Sequence, residues 1–213
     1  MDELDLLKRD WKKTEDDFPK LSYNDIYKMI LKKSSSIVKW IFIISLLEFG
    51  LWLIISFALK DNKSMERFKT YDADLILIPL TVIGYVVLAY FFYLFYKNYR
   101  TISVTDNAKV LMENILKTRR SVKHYVAFNL IYLAVSVVLV MFIQFDQDEQ
   151  FIAQIQQASA DGELVKYYVI VILTTMAFLA IAIGVLLLFY WLVYGILLGR
   201  LNKNYRELKK LEF

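Results

Sequence analysis

The chain has 213 residues, 58% of them hydrophobic, a share well above that of a soluble domain. With about half of its length in long apolar runs, it has no room for a separate soluble catalytic domain. It contains no cysteine and a single histidine, His124, which excludes disulfides, thiolate metal sites, a cysteine nucleophile and any paired-histidine metal centre.

Four apolar stretches, 40–59, 75–96, 124–145 and 167–199, are bracketed by charged residues. A bilayer core about 30 Å thick needs roughly 20 apolar helical residues to cross it. Each stretch therefore predicts a transmembrane helix, and the fold class is all-α: a polytopic membrane protein with four spans arranged as two hairpins.

Residues 2–17 read as a short helix in which Leu4, Leu7 and Trp11 form a narrow apolar stripe among charges. Asp2, Glu3 and Asp5 at its start and Lys12 and Lys13 further on suit the helix dipole. Pro19 interrupts it. The sequence Ser22-Tyr23-Asn24-Asp25 then fits an S-x-x-D helix start. Tyr23, Ile26, Tyr27 and Ile30 make one face of a second helix that runs toward the first span, about 38–59. No small-residue cleavage site precedes that span, so it is expected to stay in the mature protein.

The connection 60–74 is short and polar, which predicts an antiparallel hairpin of spans one and two; Pro79 falls in the first turns of span two. Beyond Lys97-Asn98-Tyr99-Arg100 the chain turns near Ser103-Val104-Thr105. Thr105-Asp106 is expected to cap a helix over about 105–120 that bears Val110, Leu111 and Ile115 and ends in Lys117-Thr118-Arg119-Arg120. After span three, a short helix over about 148–159 sets Phe151, Ile152 and Ile155 against glutamines, and Asp161-Gly162 closes it. Thirty-three helical residues in stretch 167–199 would reach about 50 Å at 1.5 Å each, so span four must tilt or project beyond the lipid.

Lysine and arginine fix the expected orientation. Residues 1–39 carry nine, 97–123 seven and 200–213 five, which is 21 of the 26. The positive-inside rule then places both termini and the middle segment in the cytoplasm, as for a multi-pass protein of a bacterial inner membrane. The division is 1–36 (amphipathic cytoplasmic helices), 37–199 (transmembrane domain) and 200–213 (cytoplasmic tail). The connection between spans three and four is acidic, with Asp146, Asp148, Glu149, Asp161 and Glu163 against Lys166. The net charge of +4 is a topology signal, with the lipid bilayer as partner and no nucleic acid implied.

The halves resemble each other. Ile30-Leu31-Lys32 precedes span one as Ile115-Leu116-Lys117 precedes span three, and Val38-Lys39 recurs as Val122-Lys123. Lys97-Asn98-Tyr99-Arg100 recurs as Lys203-Asn204-Tyr205-Arg206. Both halves start on the same side, so a parallel repeat with a pseudo-twofold axis along the membrane normal is expected.

Glu48 is the only acidic or basic side chain inside the four stretches. A carboxylate at mid-membrane costs at least ~2.5 kcal/mol even on permissive scales, so it must be protonated, face the bundle interior or find a partner. Tyr132, nine residues beyond Lys123 as Glu48 is nine beyond Lys39, lies at matching depth; Asn129, Tyr85, Thr174 and Thr175 are further candidates. Interhelical glue is the favoured role, and a proton or ion relay the alternative. Ala180 with Gly184, and Gly195 with Gly199, are small-x-x-x-small pairs that either pack the chain's own spans or join two copies. His124 reads as an interfacial anchor, like Trp40. No G-x-G-x-x-G, Walker loop, H-E-x-x-H or G-x-S-x-G is present, so neither an enzyme nor a cofactor is expected.

Met1-Asp2-Glu3-Leu4-Asp5-Leu6-Leu7-Lys8 with Asp10-Trp11-Lys12-Lys13, and the run from Ile26 to Trp40, resemble an uncharacterised four-span inner-membrane protein family of flavobacteria and other Bacteroidota. Its members often carry the automatic name beta-carotene 15,15'-monooxygenase. One histidine does not support that label, since carotenoid oxygenases hold iron with four. The resemblance implies a membrane-tethered regulator, similar proteins being encoded beside alternative sigma factors. The leading expectation is a non-enzymatic scaffold or regulatory anchor whose cytoplasmic helices, led by Leu4, Leu7 and Trp11, bind a protein partner. A small transporter or channel component using Glu48 is the competitor.

Overall fold

The computed structural model describes residues 22–58, 71, 73–105 and 107–211. The expected helix at 2–17 with its stripe Leu4, Leu7 and Trp11, most of the connection 60–74, and Asp106 lie outside the described residues. Within them the chain is all-helical. Helix α1 spans Tyr23–Ala58, α2 Asp74–Ser103, α3 Ala108–Gln147, α4 Glu149–Ala160 and α5 Leu164–Tyr190. A five-residue π segment, Trp191–Gly195, leads without a break into α6, Ile196–Leu211.

Four of these rods are long and apolar enough to cross a membrane: α1, α2, α3 and the continuous α5–α6. The protein is a multi-pass membrane protein. The fourth rod, 47 residues over Leu164–Lys210, measures about 70 Å at 1.5 Å per residue, more than twice the lipid core. It therefore projects past the bilayer, as its length predicts.

Local chemistry explains the boundaries. Ser22 and Asp25 form the expected reciprocal start of α1: the Asp25 amide donates to Ser22 Oγ at 3.2 Å and the Ser22 amide to Asp25 Oδ2 at 3.2 Å. The cap of α3 is Asn107, whose Oδ1 accepts from the Lys109 amide at 2.8 Å, so Thr105-Asp106 is not the N-cap. Thr105 instead donates its hydroxyl to the Thr101 carbonyl at 2.6 Å and accepts the Tyr27 hydroxyl on its own carbonyl at 2.9 Å. The helix expected over about 105–120 and span three are one 40-residue rod. Residues 117–123 are charged but hold no glycine or proline, and charge alone does not stop a propagating helix. Helix α4 matches its expected range to within a residue. Asp148 caps it, accepting from the Gln150 and Phe151 amides, and the Tyr71 hydroxyl donates to the same carboxylate at 2.5 Å. Gly162, at φ 72°, takes the left-handed turn into α5.

The two ends of the bundle differ. At the basic end, which holds the start of α1, the end of α2, the start of α3 and α6, Ile30, Val38, Ile102, Leu111, Ile115, Leu201 and Leu208 close into one core. Polar ties stitch it: Asn204 Nδ2 donates to Ser34 Oγ at 2.9 Å, Asn98 Nδ2 to Ser121 Oγ at 3.4 Å, and Arg119 Nη1 to Asn202 Oδ1 at 2.9 Å. Both asparagines are buried. The look-alike tetrapeptides thus do matching work, each sending its asparagine to a serine at the start of the other half. Next comes an aromatic layer of Phe91, Phe95, Tyr125, Tyr190 and Tyr194 with Ile41 and Val122. Toward the acidic end packing thins: Ile54, Phe57, Leu75, Val165, Leu173 and Phe178 are exposed to the surroundings, which for an apolar rod means lipid.

Candidate functional site

The aromatic layer is built around Glu48. Its side chain is 6% exposed and faces the bundle interior. Tyr190 donates its hydroxyl to Glu48 Oε1 at 2.6 Å, while Tyr125 and Tyr194 donate to Oε2 at 2.9 and 3.2 Å. The three phenols are themselves fully or nearly buried and stack on one another at centroid distances of 5.9–6.4 Å. Phe91 and Phe95 press edge-on against Tyr125 at 5.5 and 5.4 Å. One acid on α1 thereby fastens α3 and the fourth rod.

The π segment matters here. Its wider turn starts immediately after Tyr190 and contains Tyr194, and the two hydroxyls reach different oxygens of one carboxyl. Such insertions favour functional sites because they re-aim side chains along a rod.

Above the acid, toward the acidic end, α1, α2, α3 and α5 line a cavity of about 330 Å³ that is open at its side. Glu48, Tyr125 and Tyr190 form its floor, and Phe49, Phe128 and Leu186 stand in its walls. Trp52 and Tyr85 flank it at about half exposure. Below the acid the aromatic layer is closed, with Ile41, Phe95, Val122 and Tyr194 all 0–1% exposed. No group of three or more metal-ligating side chains occurs among the described residues.

The remaining candidates fall as follows. Tyr132, the residue placed at Glu48's depth, does not bond it; its hydroxyl donates to the Leu80 carbonyl on α2 at 3.2 Å. Asn129 donates to the Tyr125 carbonyl of its own helix at 2.9 Å and lines the cavity. Thr174 donates to carbonyls of its own turn, and with Thr175 lies at least 15 residues before Tyr190, about 22 Å along the rod. His124 is exposed, in keeping with an anchor. Of the small residues, Ala180, Gly184 and Gly199 are exposed, and added methyl groups on Gly184 and Gly199 would meet nothing within 4 Å. The nearest side-chain atoms to such a methyl on Gly195 belong to Trp191, one turn back. Among the described residues, neither pair packs one span onto another.

The three tyrosines on Glu48 were not among the expected partners. Depth counted from the nearest lysine pointed to Tyr132 and missed Tyr125 by seven residues, two helical turns. A lysine near a helix end is a poor depth marker because its long stem lets the ammonium reach water from several levels. Tyr190 and Tyr194 did carry a signal: two phenols four apart in an otherwise apolar run.

The tightest glycine is one the small-pair pattern does not flag. A Cβ on Gly84 would stand 2.7 Å from the Tyr132 hydroxyl and 2.9 Å from its ring. Gly84→Val is therefore expected to expel Tyr132 from its seat on Leu80 and to cost roughly 1–3 kcal/mol, the usual cost of overpacking. Thermal unfolding in detergent measures this, and Gly84→Val with Tyr132→Ala should recover part of the loss.

Fold and site together define an all-α, four-span membrane protein with an acid–phenol cluster between its helices. The chain belongs to the family defined by the domain of unknown function DUF8845, whose model matches residues 24–213. No curated protein and no solved structure matches it.

Proposed function

We propose that the protein is a non-enzymatic membrane scaffold or regulatory anchor of a bacterial inner membrane, with its basic end in the cytoplasm engaging a protein partner. The observation that carries this reading is helix continuity. Helices α1 and α3 and the α5–α6 rod run unbroken from the apolar zone into a single helical cluster at the basic end. Such a cluster is held at fixed height and orientation by the spans. The 21 lysines and arginines in the segments 1–39, 97–123 and 200–213 support the cytoplasmic placement. Met29, Val110 and Leu116 stand exposed on it as apolar contact points, and the stripe Leu4, Leu7 and Trp11 enters the chain shortly before α1.

A parallel internal repeat accounts for the reciprocal Asn98–Ser121 and Asn204–Ser34 bonds. The exposed, small-residue face of α5 around Ala180 and Gly184 suits association of two copies in the membrane.

Replacing Leu4, Leu7 and Trp11 together by serine is expected to release a co-purifying partner while the protein still inserts in the membrane. Pull-downs that return the same partners after this change would move the docking surface off the stripe.

The cavity over Glu48 favours one competing reading, a small transporter component. Under it, Glu48→Gln keeps shape and one acceptor oxygen, removes titration and abolishes pH-dependent proton flux in proteoliposomes followed with a pH-sensitive dye. The closed aromatic layer beneath the acid speaks for unchanged flux, and that outcome removes Glu48 from any pathway.

A further inference from the structure

The cavity above Glu48 is more than slack packing. Its volume of about 330 Å³ lies in the range of small-molecule sites, and its walls are mostly apolar and aromatic, with Ser56, Thr81, Asn129 and Ser136 as their polar members. At the floor, Glu48 Oε2 takes two phenol donors and Oε1 takes one. A carboxylate offers roughly four acceptor positions, so one is left over, and it belongs to Oε1. All three neighbours at this floor donate through neutral groups. The salt bridge among the described residues, Lys166–Glu163, is an exposed pair on α5 and the turn before it, and no cation among those residues pairs with Glu48. On the wall, Ser136 stands beside Tyr132.

We propose that this cavity binds a lipophilic amine, its ammonium donating to Glu48 Oε1 and its hydrocarbon body lying against Phe49, Phe128 and Leu133. The charge selects the head group. The three partners of this buried carboxyl are neutral, and an ammonium supplies both the counter-charge that favours its ionised form and a further donor. An alcohol supplies the donor alone, and a fatty acid brings a second negative charge. Entry is from the side, past Trp52 and Tyr85, because the layer beneath the acid is shut. The site stands whether or not the N-terminal stripe docks a partner.

The test uses the full chain in phosphatidylcholine nanodiscs at neutral pH, with dodecylamine, dodecanol and dodecanoate as probes. Saturable binding is read from the melting temperature and from the fluorescence change that Trp52→Phe removes. Dodecylamine is expected to bind at least about tenfold more tightly than dodecanol, since each factor of ten is only about 1.4 kcal/mol, and dodecanoate not at all. Glu48→Gln should bring the amine down to the alcohol's affinity. Leu133→Trp, which fills the cavity without touching Glu48, should abolish saturable binding of both, and it keeps the test decisive if Glu48→Gln does not fold. Equal affinity for amine and alcohol, full amine affinity in Glu48→Gln, or saturable binding that survives Leu133→Trp would each overturn the proposal.

Discussion

Glu48→Ala is expected to destabilise the folded protein by about 3 kcal/mol. Three buried phenols lose their common acceptor at once, and a buried donor left unmade costs about 1–3 kcal/mol. In a bilayer the figure sits at the lower end, since interhelical hydrogen bonds there average ~0.6 kcal/mol and reach ~1.7. The removed side chain also leaves a void in a layer already beside a cavity. Glu48→Gln, which keeps volume and one acceptor oxygen, should cost about 1 kcal/mol. The single tyrosine-to-phenylalanine changes should rank by their distances, with Tyr190 at 2.6 Å costing most, Tyr125 at 2.9 Å next and Tyr194 at 3.2 Å least. Because the phenols share one acceptor, their losses will not add. Glu48→Leu combined with all three phenylalanines should recover most of the loss, as no polar group remains unsatisfied. Unfolding in dodecylmaltoside micelles reads the series. A Tyr194→Phe loss equal to that of Tyr190→Phe would show that the distances do not grade the bonds.

Glu48 was legible in the sequence because one charge among four apolar runs is costly enough to demand an explanation. Its partners were not, for two physical reasons. Depth in a membrane is a three-dimensional quantity, and the lysines that mark helix edges are too flexible to fix it to within two turns. The π segment, which brings Tyr190 and Tyr194 to the same carboxyl, has no signature in composition. The rods themselves were easy, since length and hydropathy decide them, and so was the start of α1, where Ser22 and Asp25 sit three apart. The continuity of α3 was hidden by a basic run that looks like a boundary yet contains nothing that breaks a helix. The small-residue pairs do not pack the described spans onto one another, and their other reading, the joining of two copies, stands as a proposal. Spacing identifies surfaces where helices are able to approach, whereas Gly84, the glycine under real pressure, meets a tyrosine ring from α3 and so belongs to no repeating pattern.

Leu201→Ala with Leu208→Ala is expected to unfasten α6 from the basic-end cluster. Both leucines are 0% exposed, and each such truncation typically costs 2–5 kcal/mol. The polar ties that remain, Asn204–Ser34 and Arg119–Asn202, are worth about 1 kcal/mol each and cannot hold the rod alone. The readout is limited trypsin digestion of membrane vesicles, since Arg200, Lys203, Arg206, Lys209 and Lys210 all lie in α6. Cleavage should become many times faster in the double variant, and only in inverted vesicles if the basic end faces the cytoplasm. Cleavage in right-side-out vesicles would reverse the proposed orientation, and unchanged rates would show that α6 is held by something other than this core. Seven residues separate Tyr194 from Leu201, and the cluster at Glu48 and the core at the basic end share this one rod. A double-mutant cycle between Glu48→Ala and Leu201→Ala therefore measures whether the membrane site and the basic-end cluster communicate. A coupling above about 0.5 kcal/mol is expected if the rod transmits as one body, and additivity if the π segment between them acts as a joint.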